Sequence, residues 1–280
     1  MVLESIKIRW IEHRPYLAFI FGICYTLVGY LAATIFFKSY ISVSMLFLTT
    51  LLVVPSLSKL IELEEKKERR FGLKHFFREH KDIVEAYIFL FIGVFMGYLL
   101  LGFLISGDQY LSVFEFQRNF LVGQEGLSAE LIGNFMESSF SPSMSDVLGL
   151  VTNNLLVAII LFVLSFLYGA GAIFLVVFNA SIFASFITFV IEYMAEKVST
   201  AFSILGVFLI HMLPEVAGFL TAAIAGGVVS KAIMREKLGG RGFEHVIEDA
   251  TALLFLSCIL IIAAAFLEVY VTPCLFRMLG

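Results

Sequence analysis

The chain has 280 residues, 60% of them hydrophobic, with a mean hydropathy of +0.97 and a net charge of −4. A soluble domain averages about 45–50% apolar residues, so this composition excludes an ordinary soluble protein and indicates an all-α, polytopic membrane protein, since long apolar runs in lipid must satisfy their backbone internally as helices. Three cysteines without CxxC spacing, Cys24, Cys258 and Cys274, argue against a disulfide framework or a zinc site, and Cys24 and Cys258 are expected to be small buried hydrophobes.

Residues 1–14 mix Leu3, Ile6, Trp10 and Ile11 with Lys7, Arg9 and Arg14, which suits a short interfacial helix anchored by Trp10 or, equally, a frayed cytoplasmic tail. Tyr16 to Phe37 is predicted as the first transmembrane helix. About 20 residues at ~1.5 Å per residue cover the hydrocarbon core of ~30 Å. The run is too long for the core of a cleaved leader and no small-x-small site follows it, so it is expected to stay. Lys38, Ser39 and Tyr40 make a short turn, and Ile41 to Ile61 returns as a second helix that Pro55 bends or frays. Lys59 to Lys81 then carries eight Lys/Arg, punctuated by Phe71, Phe76 and Phe77. It reads as a basic cytoplasmic connector, its charges solvated or resting on anionic lipid.

Glu85 to Ile105 is the third predicted helix, with Gly93 and Gly97 spaced for close approach by another helix. Residues 106–149 form the longest segment between membrane helices and are acidic: Asp108, Glu115, Glu125, Glu130, Glu137 and Asp146 face only Arg118. Basic loops stay inside, so the connector is assigned to the cytoplasm and 106–149 to the outside. A short helix over about Ser128 to Ser138 is expected there, and Phe114, Phe116 and Phe120 are expected to pack this segment onto the membrane body.

Leu150 to Ile191 is too long an apolar run for one crossing, and Gly169 and Gly171 break it into helices of about 150–168 and 172–191. Asn153 and Asn154 open the first. Asn179 lies inside the second, among the small pairs Ala180/Ala184 and Ser181/Ser185, where an asparagine glues helices or binds a ligand. The next run, Ala201 to Lys231, places His211, Pro214 and Glu215 near its middle. An ionisable group at the bilayer centre costs about 2.5–3.5 kcal/mol, and Pro214 removes a backbone bond and clashes with the Ile210 carbonyl. The segment is therefore expected to face protein as a Pro-broken helix, kinked or with residues 201–213 re-entrant. His211 and Glu215, four apart, share one face of a continuous helix. They form a candidate intramembrane polar site with Asn179 and Asn154, or a purely architectural pair. Basic residues after Lys231 put the following loop inside, and the last helix runs from about Phe243 to Tyr270.

The count is about seven membrane segments, in a multi-pass cell-membrane protein with its N-terminus in the cytoplasm and its C-terminus outside. Residues 1–82 are a transmembrane hairpin plus connector, and 83–280 are a five-helix unit. This unit resembles the stage II sporulation protein M family in NNLLVAIILFVLSFLYGAGAIFLVVFNASIFASF (Asn153 to Phe186) and HMLPEVAGFLTAAIAGG (His211 to Gly227), although Asn179-Ala180 and His211-Met212 stand where the family has Asn-Gly and His-Gly. The resemblance implies a membrane-embedded scaffold that works beside cell-wall-degrading enzymes in spore formers; relatives in organisms without spores mean that role does not transfer automatically.

Three functional readings follow. The first is a non-enzymatic membrane scaffold or assembly component docking other membrane or envelope proteins, alone or as an oligomer. The alternative is a transporter or channel with a midplane polar site, since broken helices point to binding sites in transporters. The third is an intramembrane hydrolase, but HMLPE lacks the two histidines and adjacent base of a zincin. No catalytic residue, metal or cofactor is assigned, and no nucleic-acid partner is expected.

Overall fold

The computed structural model describes residues 16–55, 81–105, 107–123, 142–168, 171–194, 198–235 and 240–278. Outside these lie the expected interfacial helix 1–14, most of the basic connector, the last residues of the second helix, and the expected helix at 128–138. The described elements are helical: α1 (Leu17–Phe36), α2 (Ile41–Pro55), α3 (Lys81–Leu104), α4 (Asp108–Gly123), α5 (Met144–Tyr168), α6 (Gly171–Met194), α7 (Val198–Arg235), α8 (Arg241–Phe266), a π turn (Leu267–Val271) and α9 (Thr272–Arg277). Six spans are long and apolar enough to cross a membrane: α1, α3, α5, α6, α7 and the continuous rod from α8 to α9. The remaining expected crossing, Ile41 to Ile61, is described only as the shorter apolar helix α2, Ile41–Pro55, and its last residues lie outside the described ones. The molecule is an all-α, multi-pass membrane bundle.

Two groups of helices carry the core. In the first, α1 lies against α3 and α3 against α6. Glycines set the distance: a Cβ on Gly22 would sit 2.6 Å from the Leu90 carbonyl oxygen, one on Gly93 would overlap the backbone of Phe19, and one on Gly97 would come within 2.7 Å of Thr26 Cβ. The paired spacing on α3 is thus used against α1, the two helices running parallel. Gly102 meets Thr188 of α6 in the same way, and Ala180, Ser181, Ala184 and Ser185 of α6 are all buried. In the second group α7 packs against α8 and α5. Gly226 abuts the Phe162 backbone, and Ser257 of α8 donates to the Gly218 carbonyl at 2.7 Å. The lipid face is legible as exposed apolar residues at helical spacing, such as Leu156, Ile159, Val163 and Leu167 on α5. Cys24 and Cys274 are exposed and Cys258 half-buried, which corrects the expectation of buried cysteines. In a bilayer an outward-facing thiol meets acyl chains, so its hydrophobicity does not require the protein core.

Three boundaries depart from expectation for local reasons. α5 begins at Met144, six residues early, because Ser143 and Asp146 cap it reciprocally: the Asp146 amide donates to Ser143 Oγ at 3.3 Å and the Ser143 amide to Asp146 Oδ2 at 3.0 Å. α4 was not expected at all. Gly107, with φ +62°, reverses the chain after α3, and α4 then folds back onto α6. Phe116 and Phe120 both pack on the Phe178 ring, Phe114 meets Tyr98, and buried Gln117 joins Ser42 of α2 at 2.7 Å to Ser181 of α6 at 3.1 Å. The three phenylalanines therefore dock this segment as expected, on a helix. At its start Tyr110 is partly buried. Burial pushes its phenol above the ordinary value, the Glu192 carboxylate at the end of α6 adds to the shift, and Arg118 opposes it. Finally, α7 continues on both sides of Pro214, so the break there takes the form of one undonated backbone bond within a helix of 38 residues, and 201–213 is part of that span. The break at Gly169 and Gly171 falls between Tyr168, where α5 ends, and Gly171, where α6 starts.

A candidate functional site in the seam between α7 and α8

The two awkward residues of α7 are both inside: His211 is 5% exposed and Glu215 7%. Burial of His211 is largely aromatic. Its ring meets Phe208 edge-on at 5.8 Å, and Phe208 contacts Phe186 of α6 and Phe276 of α9. The one polar partner shown for the imidazole is Thr272, whose Oγ1 lies 2.9 Å from Nδ1. Thr272 Oγ1 also donates to the Leu267 carbonyl at 3.2 Å. A hydroxyl has a single proton, so while it donates to Leu267 it accepts from the ring, which places the ring proton on Nδ1 and leaves Nε2 as the lone-pair nitrogen.

Thr272 can reach His211 because the last rod is widened just before it. The Thr272 amide bonds to the Leu267 carbonyl, five residues back, closing the π turn. Pro273 supplies the cause: it has no N–H to offer and its ring crowds the carbonyl four residues earlier, so the ordinary turn cannot close there. Such widened turns recur at functional sites.

α7 and α8 run antiparallel, Gly218 lying against Ser257 and Ile261 while His211 meets Thr272. One turn on from His211 is Glu215, and one turn back from Thr272 is Glu268. The two carboxyl groups come close enough to act on each other electrostatically. The seam thus gathers His211, Thr272, Glu215 and Glu268.

Of the residues singled out from the sequence, His211 and Glu215 lie together here. Asn154 is buried on α5, where its Oδ1 accepts from the Asn153 amide group at 3.4 Å, and Asn179 is half-buried on α6. No hydrogen bond joins either to His211 or Glu215 among the described residues. Glu268 and Thr272 were missed. The signal for Glu268 was present, as an acid inside the apolar run from Leu253 to Phe276, but a placement near the end of its helix hid it. Thr272 could not be found by pattern, because its position depends on the π turn. Among the described residues no three His, Cys, Asp or Glu side chains gather closely enough to hold a metal ion.

A bundle of apolar rods with ionisable groups enclosed between two of them is the architecture of an integral, multi-pass membrane protein. The model of the family described as Stage II sporulation protein M matches residues 86–273, about two thirds of the chain, and the chain belongs to that family. The match takes in α3 through the π turn and leaves α1 and α2 outside it. Comparison with curated proteins and with solved structures gives no match.

Proposed function

We propose that this protein is a non-enzymatic membrane scaffold that docks partner proteins of the membrane or cell envelope through the exposed side of α4. The observation that carries this reading is the way α4 is held. Val113, Phe114, Gln117 and Leu121 are buried against the bundle, so the opposite side is fixed in place. That side forms an open groove of about 390 Å³ lined by Leu111, Ser112, Glu115, Arg118 and Asn119. Oppositely charged groups one turn apart on a pre-ordered surface suit recognition of a polar protein face, because little ordering entropy is lost on binding. Close packing in the core fits a structural role: the cleft between α2, α3 and α6 has about 10 Å³ of free space, about one water at most.

In the orientation that goes with this reading, the N-terminus and the basic stretches around 59–81 and 231–241 are cytoplasmic, and the C-terminus and α4 are outside. Co-purification from native membranes tests the proposal, with Glu115→Lys and Arg118→Glu as controls. A stable protein partner released by these reversals supports it. A protein isolated alone that carries solute-driven currents in liposomes would overturn it in favour of transport, the reading suggested by the ionisable groups of the α7–α8 seam.

A further inference from the structure

We infer that Glu215 and Glu268 form a proton-binding site in the seam between α7 and the π turn, one proton being held between the two carboxyl groups. This goes beyond the docking role and does not depend on it.

The geometry has three parts. The contact between His211 and Thr272 fixes the register of the antiparallel helices, and a step of one turn toward the centre from each brings Glu215 opposite Glu268. Glu215 is 7% exposed, and no hydrogen bond reaches its carboxyl group among the described residues. Among the described residues no basic side chain is shown acting on either carboxyl group. Residues shown against α7 include Phe162 on α5, Phe186 on α6, Ser257, Ile261 and Thr272 on the last rod and Phe276 on α9. Between Ser199 and Ser230, α7 itself has His211 and Glu215 as its only ionisable groups; α3 offers only Tyr87 and Tyr98 beyond Glu85, α5 only Tyr168 beyond Asp146, and α6 none before Glu192. On the rod from Ala250 to Arg277 the others are Cys258, Tyr270, Cys274 and the terminal Arg277.

Two carboxylates facing each other in a seam of low local dielectric repel strongly. A single proton removes one charge and supplies an O–H donor for the other oxygen, giving a short charge-assisted bond. A hard metal ion would need six or more oxygens or several retained waters, and the phenyl rings around this seam provide neither. Loss of the proton leaves two negative charges across the seam, which loosens α7 from the π turn.

The test is infrared spectroscopy of the purified full chain at neutral pH, with thermal unfolding followed across pH. The wild-type protein minus the Glu215→Gln/Glu268→Gln double variant is expected to show a protonated-carboxyl carbonyl band that shifts in heavy water. Asp249, buried on α8, is common to both samples and cancels. The wild-type unfolding midpoint should fall as pH rises, and each single Gln variant should lose that fall, because an amide donates to the remaining carboxylate as the shared proton does. A difference spectrum without the band, or Gln variants with the wild-type pH profile, overturns the inference. So does stabilisation by sodium or calcium over choline at constant pH, which would make the ligand a metal cation. Should the double variant not fold, Glu268→Asp, which keeps the acid and shortens its reach, must move the band; an unmoved band also overturns the inference.

Discussion

The seam between α1 and α3 and the seam between α7 and α8 solve the same problem differently. In the first, glycines on both helices let backbone touch backbone, and the Thr26 hydroxyl donates to its own helix at the Gly22 carbonyl. In the second, the helices are joined by polar atoms, Ser257 on the Gly218 carbonyl and Thr272 on His211, one turn from Glu215 and Glu268. Lipid offers no hydrophobic drive for helix association, so contact comes from close packing or from buried polar bonds. The first seam is set by the fit of glycine against backbone. The second depends on groups whose protons can change, and it is the one that contains a π turn and two prolines.

The largest expected effect comes from spoiling shape. Gly93→Val puts a branched side chain where even a Cβ overlaps the Phe19 backbone, and overpacking of this kind costs about 1–3 kcal/mol or more. Folded yield and unfolding midpoint in detergent should both drop, and the loss should be the same at every pH. Next is Thr272→Val, which keeps volume and leaves the buried His211 Nδ1 without its partner, at a cost of about 1–3 kcal/mol. A thermal-unfolding series with His211→Phe as the second mutation measures the coupling: the double variant should lose less than the sum of the singles. Gly107→Ala is smaller, about 1–2 kcal/mol, because the added Cβ meets nothing but must adopt a left-handed backbone. It should shift the midpoint modestly and leave the pH profile intact. Smallest is Asn179→Ala, expected within about 0.5 kcal/mol because no partner anchors that side chain among the described residues. An unfolding midpoint several degrees lower would show that Asn179 bonds across helices after all.

The comparison also explains what could be read from the chain. Spans, turns and the close-approach glycines depend on local composition and spacing, so α1, α3, α6 and α7 fall near their expected places. The start of α5 was equally readable, as Ser143 stands three residues before Asp146 ahead of an apolar run, the pattern of a reciprocal cap. α4 was harder. Its apolar positions, Val113, Phe114, Gln117 and Leu121, include a glutamine that is buried only because Ser42 and Ser181 meet it from distant parts of the chain. The same holds for the seam: periodicity puts His211 and Glu215 on one face, but their partners Thr272 and Glu268 are set by helix register and by a distortion that one proline induces.

That distortion has a mechanical consequence for the chain beyond it. Successive residues of an ordinary helix are rotated by about 100°, so a turn that absorbs one additional residue keeps everything after it in phase with what came before. Were the same residues wound as an ordinary helix, Thr272 and Phe276 would swing by about 100° around its axis, away from His211 and Phe208. The spare residue is in effect a phase adjuster, set into a rod that stays unbroken from Arg241 to Arg277.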